Sequence, residues 1–100
     1  MNHYLLIYEL SNDYLERRKK YRKEHLELAW KASDDGILLA GGALQDPSDR
    51  AVLFFQTESP DVIEEFVKKD PYVQHGLVKN WTIRPWITVA GNLAVTPVKP

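Results

Sequence analysis

The chain has no cysteine, which removes disulfide scaffolds, thiolate nucleophiles and thiolate metal centres at once. It also lacks an excess of either charge. With 13 Lys and Arg against 14 Asp and Glu, the net charge of −1 offers no field to attract nucleic acid or an anionic membrane. Long hydrophobic runs are missing too. The first apolar stretch, Tyr4 to Tyr8, is too short to span a bilayer and has neither the basic lead-in nor the small-residue cleavage pattern of a secretory signal, so the expected location is cytoplasmic. Low-complexity tracts are absent, and 44% hydrophobic with 27% charged residues is the balance of a globular chain. One hundred residues make one domain with a moderate core, which association with further copies would help to stabilise.

What is present reads in order as alternating strands and helices. His3 to Leu10 is rich in strand formers on both alternating faces. Ser11-Asn12-Asp13 supplies turn chemistry, with Glu16 in capping-box position relative to Asp13. A helix follows over about Tyr14 to Ser33, with Gly36 as its left-handed terminator. At helical spacing Tyr14, Tyr21, His25, Leu28, Ala29 and Ala32 share a face, while Glu16, Lys20, Lys23, Glu24, Glu27 and Lys31 share the opposite one. Arg18 and Arg22 fall on the His25 side, so they either snorkel to the edge or line a polar cleft.

Ile37 to Leu44 is the second strand, and Gly41-Gly42 within it signals a bulge or a close approach to the backbone. Ala51 to Gln56 is the third. Ser59 caps a second helix with Pro60 at its first position, and Val62, Ile63, Phe66 and Val67 form its buried stripe. Proline drives its preceding residue out of helical space, so this helix stops at Asp70 before Pro71 and leaves a carboxylate on a rigid corner. After the corner Tyr72 to Gly76 could add a short turn of helix, and Leu77 to Trp86 is the fourth strand. The order β-α-β-β-α-β predicts an α+β, ferredoxin-like fold, with a four-stranded antiparallel sheet and two helices on one face. Leu5 and Ile7 alternate with Tyr4, Leu6 and Tyr8, and Leu53 and Phe55 with Val52 and Phe54. A sheet with one face in water should alternate apolar with polar, so a second subunit is expected over the free face. Thr88 to Pro100 reads as an arm laid over a neighbour.

The candidate chemistry gathers on a histidine, a carboxylate and their surroundings. A carboxylate that accepts from one imidazole nitrogen fixes the tautomer and makes the other nitrogen a better base, so His25 facing Asp70 would form a general base. A buried histidine satisfied by a structural carboxylate is the competing reading. Tyr72 could donate to a developing oxyanion or simply pack. Arg18 and Arg22 could hold a carboxylate or stay solvated. Gly41 and Gly42 could offer backbone N–H groups or serve a structural bulge. His75, just past the corner, is a candidate second acid, and Trp30 and Trp86 are candidate subunit contacts. The three histidines show no metal-ligand spacing, so neither a metal nor a cofactor is expected.

Arg22-Lys23-Glu24-His25-Leu26, Gly36 to Leu44 with its glycine pair, and Asp70-Pro71-Tyr72 followed by Ile83-Arg84-Pro85-Trp86 together resemble the YCII-related (YciI-like) domain family over about residues 2–87. The resemblance implies the dimeric α/β barrel, in which two ferredoxin-like subunits pack sheet on sheet. It also implies that His25 and Asp70 are the family's characteristic pair, and that substrates are lactone-like. The chain divides accordingly into a domain at 1–87 and an extension at 88–100. The expected function is a small homodimeric or larger homo-oligomeric enzyme doing acid-base chemistry on a small anionic organic molecule. Isomerisation, elimination and hydrolysis all fit. The alternative is a noncatalytic module that binds a metabolite or supports a partner enzyme in the same cleft, since fold alone does not decide function.

Overall fold

Alternation in the two central strands sets the orientation of the sheet. In the computed structural model, which describes residues 1–100, β1 (Asn2–Leu10) buries Tyr4, Leu6, Tyr8 and Leu10 on one side. After α1 (Tyr14–Asp34) and β2 (Leu38–Ala43), β3 (Arg50–Thr57) buries Ala51, Leu53, Phe55 and Thr57. These join the same side, because antiparallel pairing puts Tyr4 opposite Phe55 and Leu6 opposite Leu53. Then come α2 (Asp61–Lys69), α3 (Pro71–Gln74) and β4 (Val78–Pro85), giving a four-stranded sheet of order β2-β3-β1-β4. All pairings are antiparallel. No helix is long and apolar enough to cross a membrane.

The helices share the core unequally. α2, only 9 residues long, buries Ile63, Phe66 and Val67, whereas the 21-residue α1 fully buries only Tyr14. Each fully buried aliphatic or aromatic side chain stabilises by about 1.5–3 kcal/mol, so α2 is clamped to the sheet while α1 is held at its start and by half-buried Tyr21, Leu28, Ala29 and Ala32. A helix so lightly seated leaves room between itself and the edge strand β2.

Two expectations about the architecture are corrected. There are three helices rather than two, because Asp70 adopts extended geometry (φ −73°, ψ 117°) and Pro71 then begins a separate turn, α3, with the Asp70 side chain as its cap. The sheet is open and not closed into a barrel: β2 and β4 are its two edges and do not pair with each other. The capping box at the start of α1 also fails to form. Asp13 makes no cap bond; its carboxylate instead accepts from the Ser11 hydroxyl at 2.8 Å and lies 3.7 Å from Arg17. The Ser59 hydroxyl accepts from the Asp61 amide at 3.2 Å, the bond expected of its capping role, and Pro60 has helical backbone geometry (φ −66°, ψ −12°) directly ahead of α2. Gly36 does take the left-handed conformation, at φ +77°.

The segment after β4 doubles back on itself around Gly91 (φ +97°), pairing the Thr96 amide with the Thr88 carbonyl and the Val98 amide with the Val89 carbonyl. Buried Thr88 ties it to the start of β1. Its hydroxyl oxygen accepts from the Val95 amide, which leaves its proton for Nδ1 of buried His3 at 2.8 Å. Burial, and then the N-terminal ammonium, hold the His3 pKa below its ordinary value, consistent with a neutral acceptor ring.

Candidate functional site

The site begins at a carboxylate with no access to water. Asp70 is fully buried, and burial of a charge is tolerated only with complete hydrogen bonding. Three donors meet that demand. The amide of Tyr72 donates to Oδ1 at 3.0 Å, as expected of a cap on the turn that Pro71 starts; the Tyr8 hydroxyl donates to Oδ2 at 2.8 Å; and His25 Nδ1 lies 2.8 Å from Oδ1. An ionised carboxylate only accepts, so the proton of this last bond sits on Nδ1. His25 and Asp70 thus form a buried pair consistent with an acid/base couple.

Nε2 of His25 has no partner within the chain, and the residue lines a cleft of about 390 Å³ between α1 and β2. His25 keeps 16% of its side-chain surface while Asp70 keeps none, so the imidazole faces the cleft and the carboxylate lies behind it. The ring is held flat on Tyr72, 3.9 Å between centroids at 9°, and Tyr72 meets Tyr14 edge-on at 5.7 Å. The Arg18 guanidinium sits 5.4 Å above the Tyr14 ring, and Arg22 joins it along the cleft. Facing them, Ala40, Gly41, Gly42 and Ala43 of β2 line the other wall almost without side chains. The bulge signalled by the glycine pair falls just before it, at the register shift between Leu38 and Ala40. A Cβ on Gly41 would lie 3.2 Å from Leu53 Cγ, so that position is one of close approach.

The structure therefore brings His25, Asp70, Tyr72, Arg18, Arg22, Gly41 and Gly42 to one place. His75 is elsewhere: it is exposed, stacked on Tyr21 at 4.2 Å, with its carbonyl accepting from Arg17, and it does not line the cleft. Tyr8 is the residue that sequence reasoning passed over, because strand alternation counts a tyrosine as an apolar position and carries no trace of its hydroxyl partner. No three His, Asp or Glu side chains converge as a metal site.

Burial first, and then the neighbouring Tyr14, push the Tyr72 hydroxyl up to about 12, although Arg22 and Arg18 pull the other way. It is a proton donor across the neutral range. Burial, reinforced by the charge of Asp70 and the bond to it, also raises Tyr8. Raised folded-state values make stability fully present below the unfolded value of about 10 and lost above it, as unfolded tyrosine ionises while the folded one does not. The urea midpoint should therefore fall as pH climbs from about 10 toward about 12. Tyr72→Phe should flatten that fall; an unchanged slope would show that Tyr72 titrates normally.

The family model of the YCII-related domain matches residues 1–87. No curated protein sequence matches the chain. Among solved structures, the fold is similar to that of 5-chloro-2-hydroxyhydroquinone dehydrochlorinase from Burkholderia phenoliruptrix, determined in complex with 2,5-dihydroxybenzoquinone. The TM-score is 0.73 at 19% identity, over 86% of this chain and 94% of that one. A NIPSNAP family protein of Agrobacterium tumefaciens aligns at a TM-score of 0.57 and 15% identity, over 93% of this chain and 95% of its own. A further Agrobacterium tumefaciens protein gives 0.59 at 15% identity, over 95% and 98%. At such identities the likeness is one of fold.

Proposed function

The chain belongs to the YCII-related domain family, and from that membership and the cleft geometry we propose that it is an enzyme in which His25, oriented by Asp70, moves a proton on a small anionic, lactone-like molecule. The carrying observation is the 2.8 Å bond from His25 Nδ1 to the buried carboxylate, which leaves Nε2 unpartnered at the edge of the cleft. Nε2 takes a proton from an acidic C–H, and the imidazolium so formed is stabilised by the charge behind it. Charge arriving on the substrate oxygen is met by the Tyr72 hydroxyl and the guanidinium groups of Arg18 and Arg22. The chemistry uses side chains alone and suits isomerisation, elimination or lactone opening. A dehydrochlorinase on the same fold, solved with a single-ring quinone, supports both the reaction type and the ligand size. The same reading keeps the machinery within residues 1–87, treats 88–100 as an extension, and places a second copy against the half-buried Leu5, Ile7, Val52 and Phe54 of the sheet's free face.

Proton transfer can be sought without knowing the product. A panel of small lactones and keto acids is incubated in D2O with the protein, and loss of C–H signals is followed by proton NMR. Exchange that His25→Gln abolishes is the expected result. Binding without exchange across the panel would favour a noncatalytic module, and exchange that survives His25→Gln would remove the histidine from the mechanism.

A further inference from the structure

The cleft is polarised along α1. Arg18, Arg22, Leu26 and Trp30 follow one another at four-residue spacing, the repeat that stacks side chains along one side of a helix. All four line the cleft. Its two ends differ sharply in chemistry. Neither Arg18 nor Arg22 makes an ion pair with any carboxylate of the chain, and no Asp or Glu is among the 19 lining residues. Two cations without counter-ions beside a concave surface attract an anion, and a guanidinium pairs best with a planar carboxylate. At the other end Trp30 is 65% and Leu26 41% exposed, with Leu39 opposite them on the β2 side. An indole left in water at the lip of a cleft is an unfilled apolar surface.

We infer that the ligand of this cleft is an organic acid with a flat apolar ring, its carboxylate held by Arg18 and Arg22 and its ring lying toward Trp30 and Leu26. This rests on the proposed function for what happens at His25, but the binding mode stands on the cleft alone. Arg22 and Trp30 are eight residues apart, or roughly 12 Å along a helix rising about 1.5 Å per residue. His25 lies between them. A molecule held at both ends therefore crosses the imidazole with the carbons that join its carboxylate to its ring, and those are the positions whose C–H bonds the ring and the arginine-neutralised carboxylate together make most labile. The polarity of the cleft thus sets which carbon meets the base.

Binding tests this separately from turnover, in the His25→Gln chain, where no proton transfer interferes. Phenylacetate, phenylacetamide and acetate are titrated while the Trp30 indole signal and the Arg side-chain signals are followed by NMR. Phenylacetate should bind at least about tenfold tighter than either the neutral amide or acetate. Arg22→Gln should remove the preference for acid over amide, and Trp30→Ala the preference for phenylacetate over acetate. Equal binding of acid and amide, or of phenylacetate and acetate, overturns the inference. So does a Trp30→Ala chain that keeps its affinity but changes its sedimentation, because the indole then serves a subunit contact. Failure here with exchange intact in the wild type would remove this ligand class and leave the acid-base reading standing; binding as described with no exchange would do the reverse.

Discussion

A chain carrying Asp70→Leu is expected to lose about 3–5 kcal/mol of folding stability, because the substitution strands buried donors rather than merely deleting a contact. The Tyr8 hydroxyl and the Tyr72 amide both end on this fully buried carboxylate, and leucine offers neither of them an acceptor. Each buried donor left unmade costs about 1–3 kcal/mol, and the lost bond to His25 adds to that. A small domain holds about 5–15 kcal/mol in total, so the variant should sit near the edge of unfolding. Urea denaturation at neutral pH measures the effect as a drop in midpoint at unchanged slope. A loss under about 1 kcal/mol would mean that water reaches the stranded donors after all.

Asp70→Asn separates chemistry from folding at the same position. Its amide oxygen can stay where Oδ1 is, accepting from the Tyr72 amide and from His25 Nδ1, while its NH2 takes the Oδ2 position and donates to Tyr8 Oη, which then accepts. The Tyr72 amide and His25 keep their acceptor and the histidine keeps its tautomer, while the Tyr8 hydroxyl proton loses the oxygen that received it. What disappears is the negative charge behind the imidazole. If that charge stabilises the imidazolium formed during proton transfer, the exchange rate should fall by about 10²–10⁴ while stability falls by about 1–3 kcal/mol, the cost of the one unmet Tyr8 donor and less than in Asp70→Leu. Parallel measurement of deuterium exchange and of the urea midpoint checks both. A rate within a few-fold of wild type would show that Asp70 orients His25 without contributing its charge.

Much of this geometry was legible because it depends on local rules. Pro71 forces Asp70 out of the helix, and helical spacing turns Arg18, Arg22 and His25 toward the same side of α1. Gly41-Gly42 marks a strand whose backbone is approached closely, at the Leu53 side chain. What escaped depends on tertiary placement. Tyr8 looks like any core position of an alternating strand, and its hydroxyl acquires a role only because a carboxylate 62 residues away arrives beneath it. A short helical turn over Tyr72 to Gly76 was legible as an option, but that it stands as a separate helix α3 from Pro71 to Gln74 turns on whether the corner bends by a single residue or by a full turn, which Asp-Pro permits either way. The open sheet was equally invisible, because strand pattern says which side chains share a face and nothing about whether edges meet. At the start of α1, Asp13 had two satisfactory uses for its carboxylate, and the Ser11 hydroxyl with Arg17 won over the helix amides.

The near-naked wall at residues 40–43 has a bearing on how such a protein can diversify. Room in the cleft is governed by edge-strand positions whose side chains stop at a methyl group or a hydrogen, whereas the imidazole and its buried anchor come from α1 and from the corner after α2. On the proposed function, ligand size and reaction chemistry are thus written on different segments of the polymer. A lineage could enlarge or shrink its preferred compound through small changes at Ala40 or Ala43 without disturbing the machinery that handles the proton.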